Sequence, residues 1–389
     1  MSLFELARRL LGNKTVVAAI ALGFSLSSFA EVRTPYTEAD LRDAVPMGVP
    51  GVRAWADAPL SVLQEQIAAL PTFEGSGVFS ILALSGGGEH GAFGAGLLTG
   101  WSESGQRPIF NIVTGISTGA LMSPFAFLGS KYDDRLKALY TDISFHSILS
   151  GSPVTGLFGQ GLYSTRPLQN TIARQIDQVM LDDIAAAYRE GRRLFIITTN
   201  LDAQRPVLWN MGAIAASGRP RALELFRKVV LASASVPGLF DPVYIEAEGN
   251  GHRFKEMHVD GGTAVPVLAT PIRLAEAGKF AASHGLPGRI YIVINNNLDP
   301  AFAMTKPKAL SISARSFNTM VKSDFYDQIL GSYLFAQKQG FQFNLAYIPN
   351  TFKVRSIELI DPNYMRALFQ LGLDRGRLGG NWEHVPPRL

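Results

Sequence analysis

Residues 78–119 read as strand, glycine loop, helix, strand and tight turn, and few architectures accommodate that succession. Val78-Phe79-Ser80-Ile81-Leu82-Ala83-Leu84 is a short apolar run rich in strand formers. Ser85-Gly86-Gly87-Gly88-Glu89-His90-Gly91 follows without a break, a helical pattern continues to Glu103, and Gln106-Arg107-Pro108 turns the chain. Ile109-Phe110-Asn111-Ile112-Val113-Thr114 is a second buried strand, ending in Gly115-Ile116-Ser117-Thr118-Gly119. Two strands joined by a helix form a right-handed βαβ unit with both loops at the carboxyl edge of a parallel sheet. The glycine loop and Ser117 are therefore expected to face each other.

The second loop has the pattern of a nucleophile elbow, Gly-x-Ser-x-Gly between strand and helix. The turn is so tight that side chains at Gly115 and Gly119 would collide, and the helix after it directs free N–H groups and its positive dipole end toward Ser117. The bland alternative is coincidence, which a chain with 38 glycines makes common. Position after a clear strand weighs against it. The first loop is open to two uses. Gly86-x-Gly88-x-x-Gly91 satisfies the dinucleotide fingerprint, which also requires an acidic residue about 20 positions on; Asn111 occupies that place. The other use is an oxyanion hole, with the amides of Gly86, Gly87 and Gly88 aimed at developing negative charge. A serine on the adjoining loop favours the second use.

A serine hydroxyl needs a base. The six histidines are His90, His146, His252, His258, His284 and His384, and the two late ones lack the loop setting of a hydrolase triad: His284 lies in a helix-like stretch and His384 sits among Pro386 and Pro387. Asp260 is the better candidate, closing the strand Met257-His258-Val259-Asp260 before Gly261 and Gly262 permit a sharp exit. An ordinary aspartate, near pKa ~4, is a weak base, so burial is expected to raise this one.

Three motifs now stand in order: Gly86-Gly87-Gly88-Glu89-His90-Gly91, Gly115-Ile116-Ser117-Thr118-Gly119 and Asp260-Gly261-Gly262. Together they resemble the patatin-like phospholipase family. Ser233-Ala234-Ser235-Val236-Pro237-Gly238-Leu239-Phe240-Asp241-Pro242 is similar to that family's Ser-x-x-x-Pro-x-x-Phe-x-Pro stretch, and the resemblance spans about residues 78–270. It implies a three-layer α/β/α fold with a central, mostly parallel sheet. It also implies a Ser117–Asp260 dyad with the glycine loop as oxyanion hole, no metal, no organic cofactor, and a lipid ester as substrate. One departure is His90, where the family usually carries Arg or Lys. A histidine charges only partly near neutrality, so this position is expected to impose a pH dependence around 6–7.

The remaining chain fits one such domain. With 389 residues, 47% hydrophobic and 17% charged, the protein has ample core. Arg8, Arg9 and Lys14 precede an apolar run of sixteen residues, 15–30, that ends Ser28-Phe29-Ala30. This reads as a secretory signal, 1–30, and implies export across the inner membrane to the periplasm or beyond. The run is short for a membrane span of about 20 residues, although an uncleaved anchor is the alternative. The absence of cysteine rules out a lipid-attachment cysteine, disulfides and thiolate metal sites. Arg8, Arg9 and Lys14 against Glu5 account for half of the net charge of +4, and no cluster of five basic residues suggests nucleic acid.

Residues 31–75 read as an extended leader with a short helix at 61–70, residues 76–300 as the catalytic domain, and residues 301–389 as a mainly helical region packing on it. The glycine-punctuated apolar stretch 148–163 reads either as a buried loop or as a lid meeting lipid chains. A helix over 166–188 places Ile172, Ile176, Val179 and Met180 in the core. Asn200 and Asp202 close a strand, with turn formation their expected role. The longest helix is expected at 317–337, and another at 361–376 with Asp361-Pro362 as its start signal. Partners implied are a phospholipid or other lipid ester and, transiently, a membrane surface. Two other readings are weighed: a non-catalytic lipid-binding protein on the same fold, and a dinucleotide-binding protein.

Overall fold

The computed structural model describes residues 33–58, 77–142, 148–150, 160–267, 287–300 and 302–387. The expected signal at 1–30, the helix at 61–70, His284, and residues 151–159 of the loop at 148–163 lie outside them. In chain order the elements begin with α1 (Glu38–Arg42), β1 (Val45–Pro46), β2 (Arg53–Trp55), β3 (Phe79–Leu84), α2 (Gly91–Glu103), β4 (Ile112–Gly115), α3 (Thr118–Leu128) and α4 (Asp133–Thr141). Next come β5 (Gly161–Tyr163), α5 (Arg166–Gln175), α6 (Gln178–Arg189), β6 (Arg193–Asn200), β7 (Arg205–Asn210), α7 (Met211–Ala216) and α8 (Ala222–Ser233). The chain ends with β8 (Gly238–Phe240), β9 (Val243–Gly249), β10 (His252–Asp260), β11 (Gly288–Ile294), α9 (Ala309–Gln339), β12 (Gln342–Tyr347) and α10 (Pro362–Arg377).

The fold is mixed α/β around one ten-stranded sheet, whose centre runs β6-β4-β3-β11-β12 with every neighbouring pair parallel. Strands β7, β2, β10, β9 and β1 extend it antiparallel on the β6 side. Strand β3 is buried along its whole length, as a central parallel strand must be. Its alternate residues feed two separate cores: Leu82 and Leu84 pack on one face, Ile81 and Ala83 on the other. Helices α2, α3, α8 and α10 contribute to the first core, and α9 closes the second with Phe325, Ile329 and Ala336. Each large aliphatic side chain so buried contributes about 1.5–3 kcal/mol.

The carboxyl-terminal region, read from sequence as mainly helical, also supplies β12 as the parallel partner of β11. The leader likewise joins the sheet, through β1 and β2. The helical pattern at 166–188 divides into α5 and α6, because Asp177 accepts the Met180 amide at 2.9 Å and restarts the helix. That break rotates Val179 outward, where it is 61% exposed, while Ile172, Ile176 and Met180 are buried as expected. Asp361 caps α10 through the amides of Asn363 and Tyr364. Among the described residues no helix is long and apolar enough to cross a membrane.

Candidate active site

The βαβ unit delivers the glycine loop and Ser117 to the carboxyl ends of β3 and β4, and β3 pairs with β4 from Ile81↔Ile112 to Leu84↔Gly115. Ser117 has φ 56° and ψ −123°, a left-handed conformation costly for a side-chain-bearing residue, at the mouth of α3. The elbow must pass close to β3: a Cβ on Gly119 would lie 2.2 Å from the Leu84 carbonyl oxygen, so only glycine fits. Buried Arg107 fixes the far end of α3, donating to the Ala126 carbonyl at 2.9 Å and pairing with Asp133 at 2.8 Å.

Asp260 arrives by a long-range route. Strand β7 pairs with Phe195–Asn200 along one edge of β6. The opposite edge is shared end to end: β4 covers Arg193–Ile196, and β10 then covers Thr198–Asn200. The two strands therefore meet near Ile197, and the ends that meet carry the Ser117 elbow and Asp260. The Ser233 hydroxyl occupies the junction. It donates to the Ile197 carbonyl at 2.7 Å and accepts the Ser117 amide at 3.0 Å.

Asp260 is buried, and its Oδ1 accepts the Gly262 amide at 2.7 Å. Burial pushes its carboxyl up to about 7, against the Ser117 hydroxyl and the Gly262 amide, which both favour the charged form. Oδ2 is buried without a hydrogen-bond partner. Ser117 is thus near enough to influence Asp260, but the bond between them is not closed; contacts of this kind tighten when substrate fills a site. Burial thus raises the Asp260 carboxyl above the ordinary value for an aspartate.

In the glycine loop, a Cβ on Gly87 would fall 2.1 Å from the Asn295 carbonyl oxygen, so the backbones of loop and β11 touch. Buried Asn295 braces this contact: its amide nitrogen Nδ2 donates to the Ser85 carbonyl at 3.0 Å, and its Oδ1 accepts the Gly94 amide at 3.1 Å. One expected role changes. The Gly86 amide donates to the Pro266 carbonyl at 3.2 Å and is already engaged. Among the described residues the amides of Gly87, Gly88 and Thr118 have no protein acceptor, so these three are the candidates for holding an oxyanion.

His90 also departs from expectation. It stands edge-on to Tyr364 with ring centroids 5.7 Å apart. Burial, aided by nearby Lys322, lowers its pKa to about 4. A value that low keeps the ring neutral at pH 6–7 and argues against a pH dependence imposed there. His258 is equally unavailable as a base: it is fully buried on β10, bonded to Glu256 and Thr198 at 3.0 Å each. Asn200 turns the chain as expected, accepting the Ala203 amide at 3.1 Å, and Asp202 pairs with Arg33. Gly91 opens α2, Gly115 closes β4 just before Ser117, and Gly261 and Gly262 form the short turn that follows Asp260.

Two cavities meet at Ser117, both lined by Gly87, Gly88, His90 and Val236. One, of about 280 Å³, is walled by apolar side chains that include Leu121, Leu149, Leu239, Phe240 and Met365. The other, of about 210 Å³, holds Asp260, Thr263, Pro266, Asn296 and Asn318. The first suits a hydrocarbon chain; the second is also largely apolar, with Val236, Pro266, Val321 and Phe325 in its wall, but adds the polar groups of Asp260, Asn296 and Asn318. Val236 and Pro237 line the second, which places part of the Ser233–Pro242 segment beside Ser117 and Asp260. The dinucleotide alternative finds no support. Asn111 precedes β4 at the opposite end of the strand, where its Oδ1 accepts the Ser80 amide at 2.8 Å.

Sequence reasoning gave no role to Ser233 or Asn295. Ser233 opens a motif quoted for its similarity alone, and Asn295 is a polar residue ending a parallel strand, a place where site residues collect.

Residues 82–271 match the family model of the patatin-like phospholipases, a family of lipid acyl hydrolases. The match encloses Gly86–Gly88, Ser117, Ser233 and Asp260. A search of the curated proteins returned no match. Among solved structures, VipD from Legionella pneumophila is similar at 11% identity, over 78% of this chain and 67% of that one, with a TM-score of 0.40.

Proposed function

We propose that this chain is an exported serine acyl hydrolase that cleaves lipid esters, of phospholipase A or lysophospholipase type. The observation that carries the reading is the convergence of Ser117 and Asp260 where β4 and β10 abut on β6, at the meeting of two largely apolar cavities, one of which holds Asp260.

Ser117 Oγ attacks the ester carbonyl while Asp260 Oδ2 takes its proton. Negative charge gathers on the carbonyl oxygen, for which the amides of Gly87, Gly88 and Thr118 are available donors. As the intermediate collapses, the C–O bond to the alcohol breaks and Asp260 returns the proton to the leaving oxygen, which leaves an acyl-serine. Water then attacks the acyl carbonyl and passes its proton to Asp260. Ser117 regains that proton on release of the fatty acid. The acyl chain occupies the cavity walled by Leu121, Leu149 and Leu239, and the alcohol portion the one that holds Asp260, Asn296 and Asn318. No step calls on a metal or organic cofactor.

The test is fatty-acid release from phospholipids, lysophospholipids and short-chain esters by wild type, Ser117→Ala and Asp260→Asn. Loss in both variants with folding intact supports the dyad, and the panel identifies the ester class. A folded wild type that releases nothing, and whose Ser117 resists a serine-reactive phosphonate, would falsify the reading. Export rests on residues 1–30 and is checked by the amino terminus of the protein recovered from a periplasmic fraction.

A further inference from the structure

The mouth of the Ser117 site is bordered by two segments that the mechanism does not use. The first runs from Pro300 into α9. Between positions 300 and 323 the chain has Lys306, Lys308, Arg315 and Lys322 and no acidic residue. Phe302 and Met304, just before the helix, are 96% and 90% exposed. The second is Lys353-Val354-Arg355-Ser356-Ile357-Glu358-Leu359, in which Ile357 is 89% exposed.

Both segments reach the cavities. Leu359 lines the apolar cavity beside Ser117. Asn318 lines the one that holds Asp260. An adjoining cavity of about 540 Å³, which shares His90, Asn296 and Asn318 with it, extends the opening to Pro300 and Arg315. Lys306, Lys308, Lys353 and Arg355 are exposed, and among the described residues none is in an ion pair. Single exposed apolar side chains are ordinary. Here nearly bare apolar side chains alternate with cations on both flanks of one opening, and Glu358 is the lone acid within the two segments.

We propose that residues 302–308 and 353–359 form a docking surface that seats the cavity mouth on an anionic lipid bilayer. Phe302, Met304 and Ile357 enter the headgroup region, and the four exposed cations contact lipid phosphates; a membrane-surface contact built this way combines apolar insertion with charge attraction. Each Lys or Arg at an anionic surface strengthens binding about fivefold, an effect that salt screens. The position also has a chemical rationale. An acyl chain that rises from the bilayer directly past Leu359 enters the apolar cavity without crossing water. This proposal deepens the lipid-ester reading of Ser117, and its account of substrate entry rests on that reading.

Binding is measured by sedimentation with phosphatidylcholine vesicles, with and without phosphatidylglycerol, using full-length protein carrying Ser117→Ala so that the vesicles stay intact. Binding is expected to the phosphatidylglycerol vesicles and to weaken with salt. The quadruple change Lys306→Glu, Lys308→Glu, Lys353→Glu and Arg355→Glu should weaken it at least tenfold, and Phe302→Ser, Met304→Ser and Ile357→Ser together severalfold. In the protein with Ser117 intact, the charge changes should leave turnover of a soluble short-chain ester unaltered while vesicle hydrolysis falls. Equal binding to neutral vesicles, no binding to either, or undiminished binding by the charge variant overturns the proposal; no binding to either would direct attention to a protein partner. Rim-dependent vesicle binding without release of fatty acid from any ester would support docking while sinking the hydrolase reading. Ester hydrolysis without rim-dependent binding would do the reverse.

Discussion

The main-chain amide of Ser117 donates to the hydroxyl of Ser233 at 3.0 Å, and that hydroxyl donates in turn to the Ile197 carbonyl at 2.7 Å. Ile197 is the β6 residue between the stretches paired with β4 and β10. One buried side chain therefore fastens the strained turn to the point at which Ser117 and Asp260 are delivered. The residues it joins are far apart in sequence, and the link exists only once the sheet is complete.

Ser233→Ala should leave the Ser117 amide as an unsatisfied buried donor, costing about 1–3 kcal/mol. Stability should fall by that order in denaturant unfolding. The kcat for a soluble ester should fall about tenfold as Ser117 loses its position, with KM little changed because Ser233 lines neither cavity. An unchanged kcat with lowered stability would reduce Ser233 to a structural residue.

The Asp260 carboxyl is pushed up to about 7 by burial. Only its ionised form accepts the serine proton. The kcat/KM should therefore rise about tenfold per pH unit below 7 and level above it. The sign for stability is opposite. The folded value exceeds the unfolded value of about 4, so the contribution is fully present below pH ~4 and is lost as pH rises through 7. Asp260→Asn should abolish activity yet raise the melting temperature at pH 8, by a stabilisation on the order of a few kcal/mol. An acid limb centred near 4 in the wild type would contradict the burial of this group.

His90, lowered to about 4, is neutral throughout the range in which Asp260 titrates. His90→Asn should therefore leave the midpoint of the acid limb where wild type has it. An NMR titration of the His90 ring should show its own midpoint well below 6. A limb that moves in the variant would restore the titrating role that the sequence suggested for this position.

What could be read before the structure was what is local. The glycine loop, the elbow and the Asp-Gly-Gly exit are contiguous patterns whose geometry follows from glycine and strand propensity, and the structure brings all three to one place. The parts that could not be read depend on distant segments. Half-buried His90 meets the ring of Tyr364 on α10 and the charge of Lys322 on α9, both more than 200 residues downstream. The Gly86 amide is engaged by Pro266, beyond the last motif. Asn295 and Ser233 are single polar residues whose partners are chosen by sheet order, which periodicity does not encode. Val179 fits a helical core stripe only if 166–188 is one helix, and the Asp177 cap breaks that phase.

The apolar cavity gives the acyl preference a handle. Leu121, half-buried on the first turns of α3, forms part of its wall close to Ser117. Each buried methylene contributes about 0.8 kcal/mol, so a cavity that accepts a long chain should favour it over butyrate by roughly tenfold for every two methylenes admitted. Leu121→Trp fills the space near the nucleophile while leaving the dyad and the Ser233 link in place. It should lower kcat/KM for long-chain esters at least tenfold and change that for a butyrate ester little. The measurement is a chain-length series on wild type and variant, with folding checked by thermal unfolding. If both proteins lose activity in parallel across the series, the acyl chain lies elsewhere and the assignment of the two cavities must be reversed.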